Sequence, residues 1–226
     1  MTRPMLLAWS GGKDSALALE EMRRDPRFDV IGLFTTVTES DGCTTHHGAP
    51  PALTALQAER AGLPLYAVPV PGDGDQETYQ RVMGEAIQRL KAELPELEGF
   101  VFGDLFLEDL RIRRTRLLAR ASLSAYFPLW QRSSYDLARK LLARGYRALL
   151  VSVDTAKLPE DFAGREYDEN LLSNLPPGVD PCGENGEFHT FVYDGPIFEQ
   201  PIPFIRGERA RRDGPFAYWP VLPVAR

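Results

Sequence analysis

Ser10-Gly11-Gly12-Lys13-Asp14-Ser15 gathers two hydroxyls, two glycines, an ammonium and a carboxylate in six consecutive residues. Glycines let a backbone approach an anion closely and permit positive φ. Lys13 supplies a mobile cation, and Ser10 and Ser15 supply hydroxyl donors. Asp14 has no place in a pure anion cradle. It fits one in which a divalent ion accompanies the anion, because Mg²⁺ takes one or two carboxylates together with phosphate oxygens. The spacing is not that of the Walker-type loop, which sets four residues between its first Gly and its Gly-Lys pair. The competing reading is an ordinary helix start behind a glycine turn.

Gly183-Glu184-Asn185-Gly186-Glu187-Phe188-His189-Thr190 is the second dense cluster. Its carboxylates, amide and imidazole can bind an amine or ammonia, ligate Mg²⁺ or move protons. A strand would place Glu187 and His189 on one face, with Phe188 on the other. A polar turn before an edge strand explains the same residues equally well. Third, Gly103-Asp104 precedes Glu108-Asp109, Arg111 and Arg114. Three residues apart on a helix, Arg111 and Arg114 share a face and can clamp a phosphate or carboxylate bidentately. Solvated surface charge is the simpler account of that arginine run. The segment Asp41–Gly48 carries His46 and His47, read as a mobile loop over the ligand rather than a metal site. Cys43 and Cys182 are read as inert thiols rather than nucleophiles.

Alternating strands and helices must position these groups. The apolar runs 5–9, 30–37, 64–70, 99–103 and 148–153 read as strands. Helical patterns fall near 15–24, 50–61, 76–93, 108–124 and 134–144. Connections this long imply a parallel sheet covered on both faces. Ligands in such sheets bind at the carboxyl ends of the strands, near the point where strand order reverses. Ser10–Ser15, the residues from Thr35 and Thr36 onward, and Gly103-Asp104 all fall at such ends. Beyond residue 155 frequent prolines break the chain into short extended pieces, with strand candidates at 188–193 and 216–219. The division expected is a nucleotide-binding α/β part over 1–131 and a smaller α+β part over 132–226.

The chain has 226 residues and a formal net charge of −6, with globular proportions of apolar and charged residues. The acidic balance argues against nucleic acid as a partner. No Cys-x-x-Cys supports zinc or an iron–sulfur cluster. Polar residues interrupt the first apolar run early, so no signal peptide is expected, and no run approaches a membrane span. A cytoplasmic protein without membrane attachment is the resulting expectation.

Ser-Gly-Gly-Lys-Asp-Ser resembles the loop of the PP-loop ATP pyrophosphatases, which hold the pyrophosphate end of ATP and cleave between its α- and β-phosphates. Joined to Gly103-Asp104 with Arg111 and Arg114, to Pro128-Leu129-Trp130 and to Cys182-Gly183-Glu184-Asn185-Gly186-Glu187, it resembles the diphthine–ammonia ligase (diphthamide synthase domain) family from about residue 5 to 200. The resemblance implies an adenine-nucleotide α hydrolase-like domain followed by a smaller domain. It implies ATP and Mg²⁺, adenylation of a substrate carboxylate with release of pyrophosphate, then displacement of AMP by ammonia. In that scheme Ser10, Gly11, Gly12, Lys13 and Ser15 hold phosphates and Asp14 places the metal. Thr35, Thr36, Gly103 and Asp104 line the nucleotide. Arg111, Arg114, Asn185 and His47 meet substrate, and Glu184, Glu187 and His189 serve the amine step with Lys13 and Asp14. Members that make diphthamide read Gly-Glu-Gly-Gly-Glu-Tyr/Phe-Glu-Thr. Asn185 and His189 depart from that pattern and resemble a bacterial branch, part of which is linked to cobalamin metabolism. A homodimer is a further expectation. A tRNA-modifying PP-loop enzyme and a non-catalytic nucleotide sensor are the alternatives.

Overall fold

The computed structural model describes residues 2–45, 47–72, 76–211 and 215–224. β1 (Arg3–Ala8), β2 (Phe28–Thr38), β3 (Leu65–Val70), β4 (Gly99–Val101) and β5 (Ser124–Tyr126) form a sheet in the order β3-β2-β1-β4-β5. All four pairings are parallel. The chain winds outward from β1 to β3, returns, and winds the other way through β4 and β5. The reversal point therefore lies between β1 and β4, where the loops after both strands open on the same end of the sheet.

The connecting helices are α1 (Lys13–Arg24), α2 (Pro51–Arg60), α3 (Gln76–Glu93) and α4 (Glu108–Ala119). β1 is central, and Met5, Leu6 and Leu7 are fully buried. Alternation sends Leu6 to one face, where it joins Phe34, Phe100 and Ile87 under α3 and α4. Met5 and Leu7 go to the other face, with Leu33 and Val101 beneath α1.

That second face continues into the rest of the chain. α5 (Ser134–Ala143) leads to β6 (Arg147–Asp154), and α6 (Glu169–Ser173) precedes β7 (Phe188–Asp194). With β9 (Ala210–Arg211) and β10 (Phe216–Tyr218) they build an antiparallel sheet ordered β7-β6-β10-β9. β8 (Phe204–Arg206) pairs with β11 (Val221–Pro223). Leu137, Leu141, Leu149, Phe188 and Phe191 share one buried cluster with Met5, Leu7 and α1. Ala16 and Ala18 let α1 pack on both sides, so it is a central helix between two sheets. Ion pairs from Glu20 to Arg144 and from Glu21 to Arg132 and Lys140 fasten α1 to the α5 region.

The helix expected over 108–124 stops at Ala119. Ser122 reverses the chain at φ 57°, and 124–126 pair with β4 as β5. A three-residue edge strand is too short to show periodicity. β2 covers the expected run at 30–37 and extends it to Thr38, with Thr35 and Thr36 inside the strand opposite Ala67 and Val68. Among the described residues no helix is long and apolar enough to cross a membrane.

Candidate active site

The loop Trp9–Gly12 joins the buried end of β1 to α1. Gly11 sits at φ +79°, and a side chain there would also strike Gln57, whose Oε1 lies 2.7 Å from the Cβ position. Gly12 is the N-cap of α1 and has no side-chain cap. Its N–H donates to Ser10 Oγ at 3.2 Å, and Ser15 Oγ donates to the Gly12 carbonyl at 2.8 Å. The helix start therefore presents its positive end at the sheet reversal point, ringed by hydroxyls. Gly103 closes the other side, because a Cβ there would come within 2.9 Å of the Asp14 backbone.

Lys13 is not the mobile cation expected from the sequence. Its side chain is 4 % exposed, its Nζ is 2.8 Å from Asp14 Oδ2, and it lies 5.4 Å above the Phe188 ring. Burial works against the ammonium, but Asp14 first, then Cys182 and Glu184, outweigh it and hold Lys13 charged with a raised pKa. Asp14 Oδ1 is buried without a hydrogen-bond partner. A bare carboxylate oxygen beside a glycine-rich helix start fits a cation that takes one protein oxygen and completes its shell from an anionic ligand and water. Among the described residues no group of three or more His, Cys, Asp or Glu side chains forms an all-protein metal cage.

The second motif arrives from across the core. β7 is the edge of its sheet, and the loop between β1 and α1 covers that edge. Val192 N–H donates to the Gly11 carbonyl at 2.9 Å, and Lys13 N–H donates to Thr190 Oγ1 at 3.1 Å. His47 stands over Gly12, with its Nδ1 3.0 Å from the Thr190 carbonyl and its ring 4.7 Å from that of His189. His46 lies outside the described residues.

Glu184 Oε1 accepts from Leu105 N–H at 2.8 Å, which ties the second motif to the loop after β4. Burial pushes the Glu184 carboxyl up to about 7; the Leu105 N–H pulls it down, while the Asp14 and Asp104 charges add to the rise. Burial also raises Asp104, against the pull of Arg114. Arg114 is ion-paired to Asp104 and lies over Phe102. Arg111 points elsewhere: it pairs with the exposed Glu108 and stacks 4.7 Å from Trp130. The two arginines share a helix but do not form one clamp in this state.

Glu187 precedes β7 and is buried. Its two oxygens take the Asp180 N–H at 3.2 Å, the Asn185 N–H at 2.9 Å and the Asn185 amide at 3.0 Å. Glu187 and Asn185 thus fold the turn that presents Glu184. Cys182 is buried in the same turn with its thiol against the Ser134 carbonyl, and burial raises its pKa. Neither cysteine is in a disulfide.

Gln57 and Asp180 lie outside the residues expected from sequence. Leu53, Thr54, Gln57 and Ala58 form the buried stripe of α2, so a polar side chain at an inward helical position was the available signal. A cavity of about 450 Å³ lined by Glu21, Arg24, Arg27 and Tyr126 lies at the far end of α1, away from this chemistry.

An all-parallel sheet that reverses at a Ser-Gly-Gly-Lys-Asp-Ser loop defines a PP-loop α/β protein. The diphthamide synthase N-terminal domain model matches residues 4–124, and the diphthamide synthase C-terminal domain model matches residues 133–214. The chain belongs to the diphthamide synthase family. It is 31% identical over 160 residues to the diphthine–ammonia ligases of Homo sapiens and Rattus norvegicus, an alignment spanning 65% of this chain and 60% of each relative. The Danio rerio diphthine–ammonia ligase is 31% identical over 162 residues, 65% of this chain and 63% of the relative. The chain therefore spans under two thirds of the length of these relatives.

Proposed function

We propose that the chain is an ATP-dependent amide-forming ligase acting on a carboxylate and ammonia. The observation that carries this reading is the convergence on one helix start of a glycine-rich loop, the buried Lys13 paired with a half-buried Asp14, and the Glu184 carboxyl poised at about 7. Residues 1–131 supply the nucleotide side and residues 132–226 the acceptor side.

Ser10, Gly11, Gly12, Lys13 and Ser15 receive the β- and γ-phosphates. Lys13 and the helix start neutralise the charge that builds on pyrophosphate as it leaves. Asp14 Oδ1 is the residue's free acceptor for Mg²⁺, which when bound would supply further charge neutralisation. Thr35, Thr36, Gly103 and Asp104 border the nucleotide at the strand ends. A substrate carboxylate oxygen attacks the α-phosphorus and pyrophosphate departs. Ammonia then attacks the activated carbonyl carbon, AMP departs with the bridging oxygen, and the surplus ammonium proton passes to Glu184. A carboxyl near 7 suits that transfer at neutral pH. Glu187 and Asn185 act by holding Glu184 in place. His47 and His189 border the acceptor side, and Arg114 meets the acceptor once released from Asp104. Arg111, directed toward Trp130, lies at the rim.

The test is a panel of carboxylates with ammonium, scored for AMP and pyrophosphate. Lys13→Ala is expected to abolish pyrophosphate release. Glu187→Ala is expected to spare ATP binding and slow amide formation. ADP as product, or full turnover by Lys13→Ala, would remove the loop from the reaction.

A further inference from the structure

We propose that Gln57, seconded by Thr190, is a positioning residue that aims the peptide units of the phosphate-facing loop and so selects for a pyrophosphate group it never touches. The inference rests on the reading above that this loop receives the pyrophosphate end of a nucleotide.

Gln57 is fully buried on α2. Its three partners allow one amide orientation. The Trp9 indole N–H can only donate, so it faces Oε1, at 3.1 Å. The carbonyls of Gly11 and Val192 can only accept, so they face Nε2, at 3.1 and 2.7 Å. The Gly11 carbonyl takes a second bond, 2.9 Å from Val192 N–H. Two donors from two different elements thus pin one carbonyl toward β7.

A trans peptide is planar, with its C=O and N–H pointing opposite ways. Pinning the Gly11 carbonyl therefore sends the Gly12 N–H to the other side of the loop, where it meets Ser10 Oγ at 3.2 Å. The following amide, Lys13 N–H, is held by Thr190 Oγ1 at 3.1 Å. Gly11, at φ +79°, lacks the Cβ that would resist rotation of this peptide unit. Without the Gln57 donor only the Val192 N–H opposes a turn of the carbonyl oxygen, the negative end, toward the anion. Gln57 is thereby linked to phosphate recognition from the far side of the loop, and β7 carries the same constraint in from the acceptor half.

The test is calorimetric titration at fixed Mg²⁺ with inorganic pyrophosphate, ATP and AMP. Gln57→Met keeps the length and removes both donors. It is expected to weaken pyrophosphate and ATP by about tenfold, the order set by one or two net hydrogen bonds, and to leave AMP within about twofold. Thr190→Val removes the Lys13 acceptor with little change of shape and is expected to show the same selectivity, with Thr190→Ser restoring pyrophosphate affinity. Should Gln57→Met fail to fold, the Thr190 pair decides. Unchanged pyrophosphate affinity in the variants overturns the positioning role, and so does an equal loss for AMP and pyrophosphate, which a merely loosened fold would give. A wild-type protein that binds neither ATP nor pyrophosphate would instead overturn the loop reading itself.

Discussion

Replacing Glu184 by Gln tests the electrostatics of the site without touching ATP. The variant keeps the oxygen that accepts the Leu105 N–H and removes only the charge. The carboxyl moves from its ordinary 4.5 to about 7 in the folded protein, mainly through burial, so the native state holds this proton more tightly than the unfolded chain does. The sign follows from proton linkage: wild-type stability falls as pH rises through the window between those values, and the loss is complete above it. At about 1.4 kcal/mol per pH unit the ceiling is about 3 kcal/mol. Glu184 is only partly shielded from solvent, and screening brings the expected effect to about 1–2 kcal/mol. Urea unfolding of both proteins, free of nucleotide and Mg²⁺, is the assay. Glu184→Gln should match wild type near pH 4.5 and exceed it by that amount at pH 8. A difference that does not vary with pH, or a variant less stable at pH 8, would refute the burial argument and with it the case for Glu184 as proton acceptor.

Gly11→Ala should cost about 2 kcal/mol or more of stability and lose ATP binding, because the left-handed backbone and the Gln57 contact both oppose a side chain; normal ATP titration would contradict this. Asp14→Asn should raise the Mg²⁺ concentration needed for half-maximal pyrophosphate release by at least about tenfold, as expected when Mg²⁺ loses a carboxylate ligand, with an unchanged Mg²⁺ titration as the contrary result. The Cys182 thiol, buried and with a raised pKa, should resist alkylation at pH 8 until the protein unfolds, which mass spectrometry of iodoacetamide-treated native protein will show. Phe191→Ala should destabilise by about 3–5 kcal/mol, since the ring is buried in the cluster that joins both sheets; a loss under 1 kcal/mol would mean the shared core contributes little.

Much of the N-terminal α/β part was legible in the chain because its signals are local. β1 reads as an unbroken apolar run because both faces are covered, and two adjacent glycines followed by a helical pattern mark the turn at its end. The same local logic found β7 and the turn before it. It failed for β5, whose three residues carry no period.

The sequence by itself determined the order of strands and helices, the loop between β1 and α1, and the residue types available for phosphate and amine chemistry, because spacing and propensity act over a few residues. Only the tertiary structure decided that Lys13 is buried against Phe188, that the edge of β7 is covered by the loop at residues 11–13, and that Gln57 fills the space behind Gly11. It also decided that Glu187 holds a turn while Glu184 meets the β4 loop. The physical reason is range: apart from the local Glu187 turn, these contacts join segments dozens to nearly two hundred residues apart, brought together when two sheets bury their apolar faces on one helix, and no local pattern encodes that meeting.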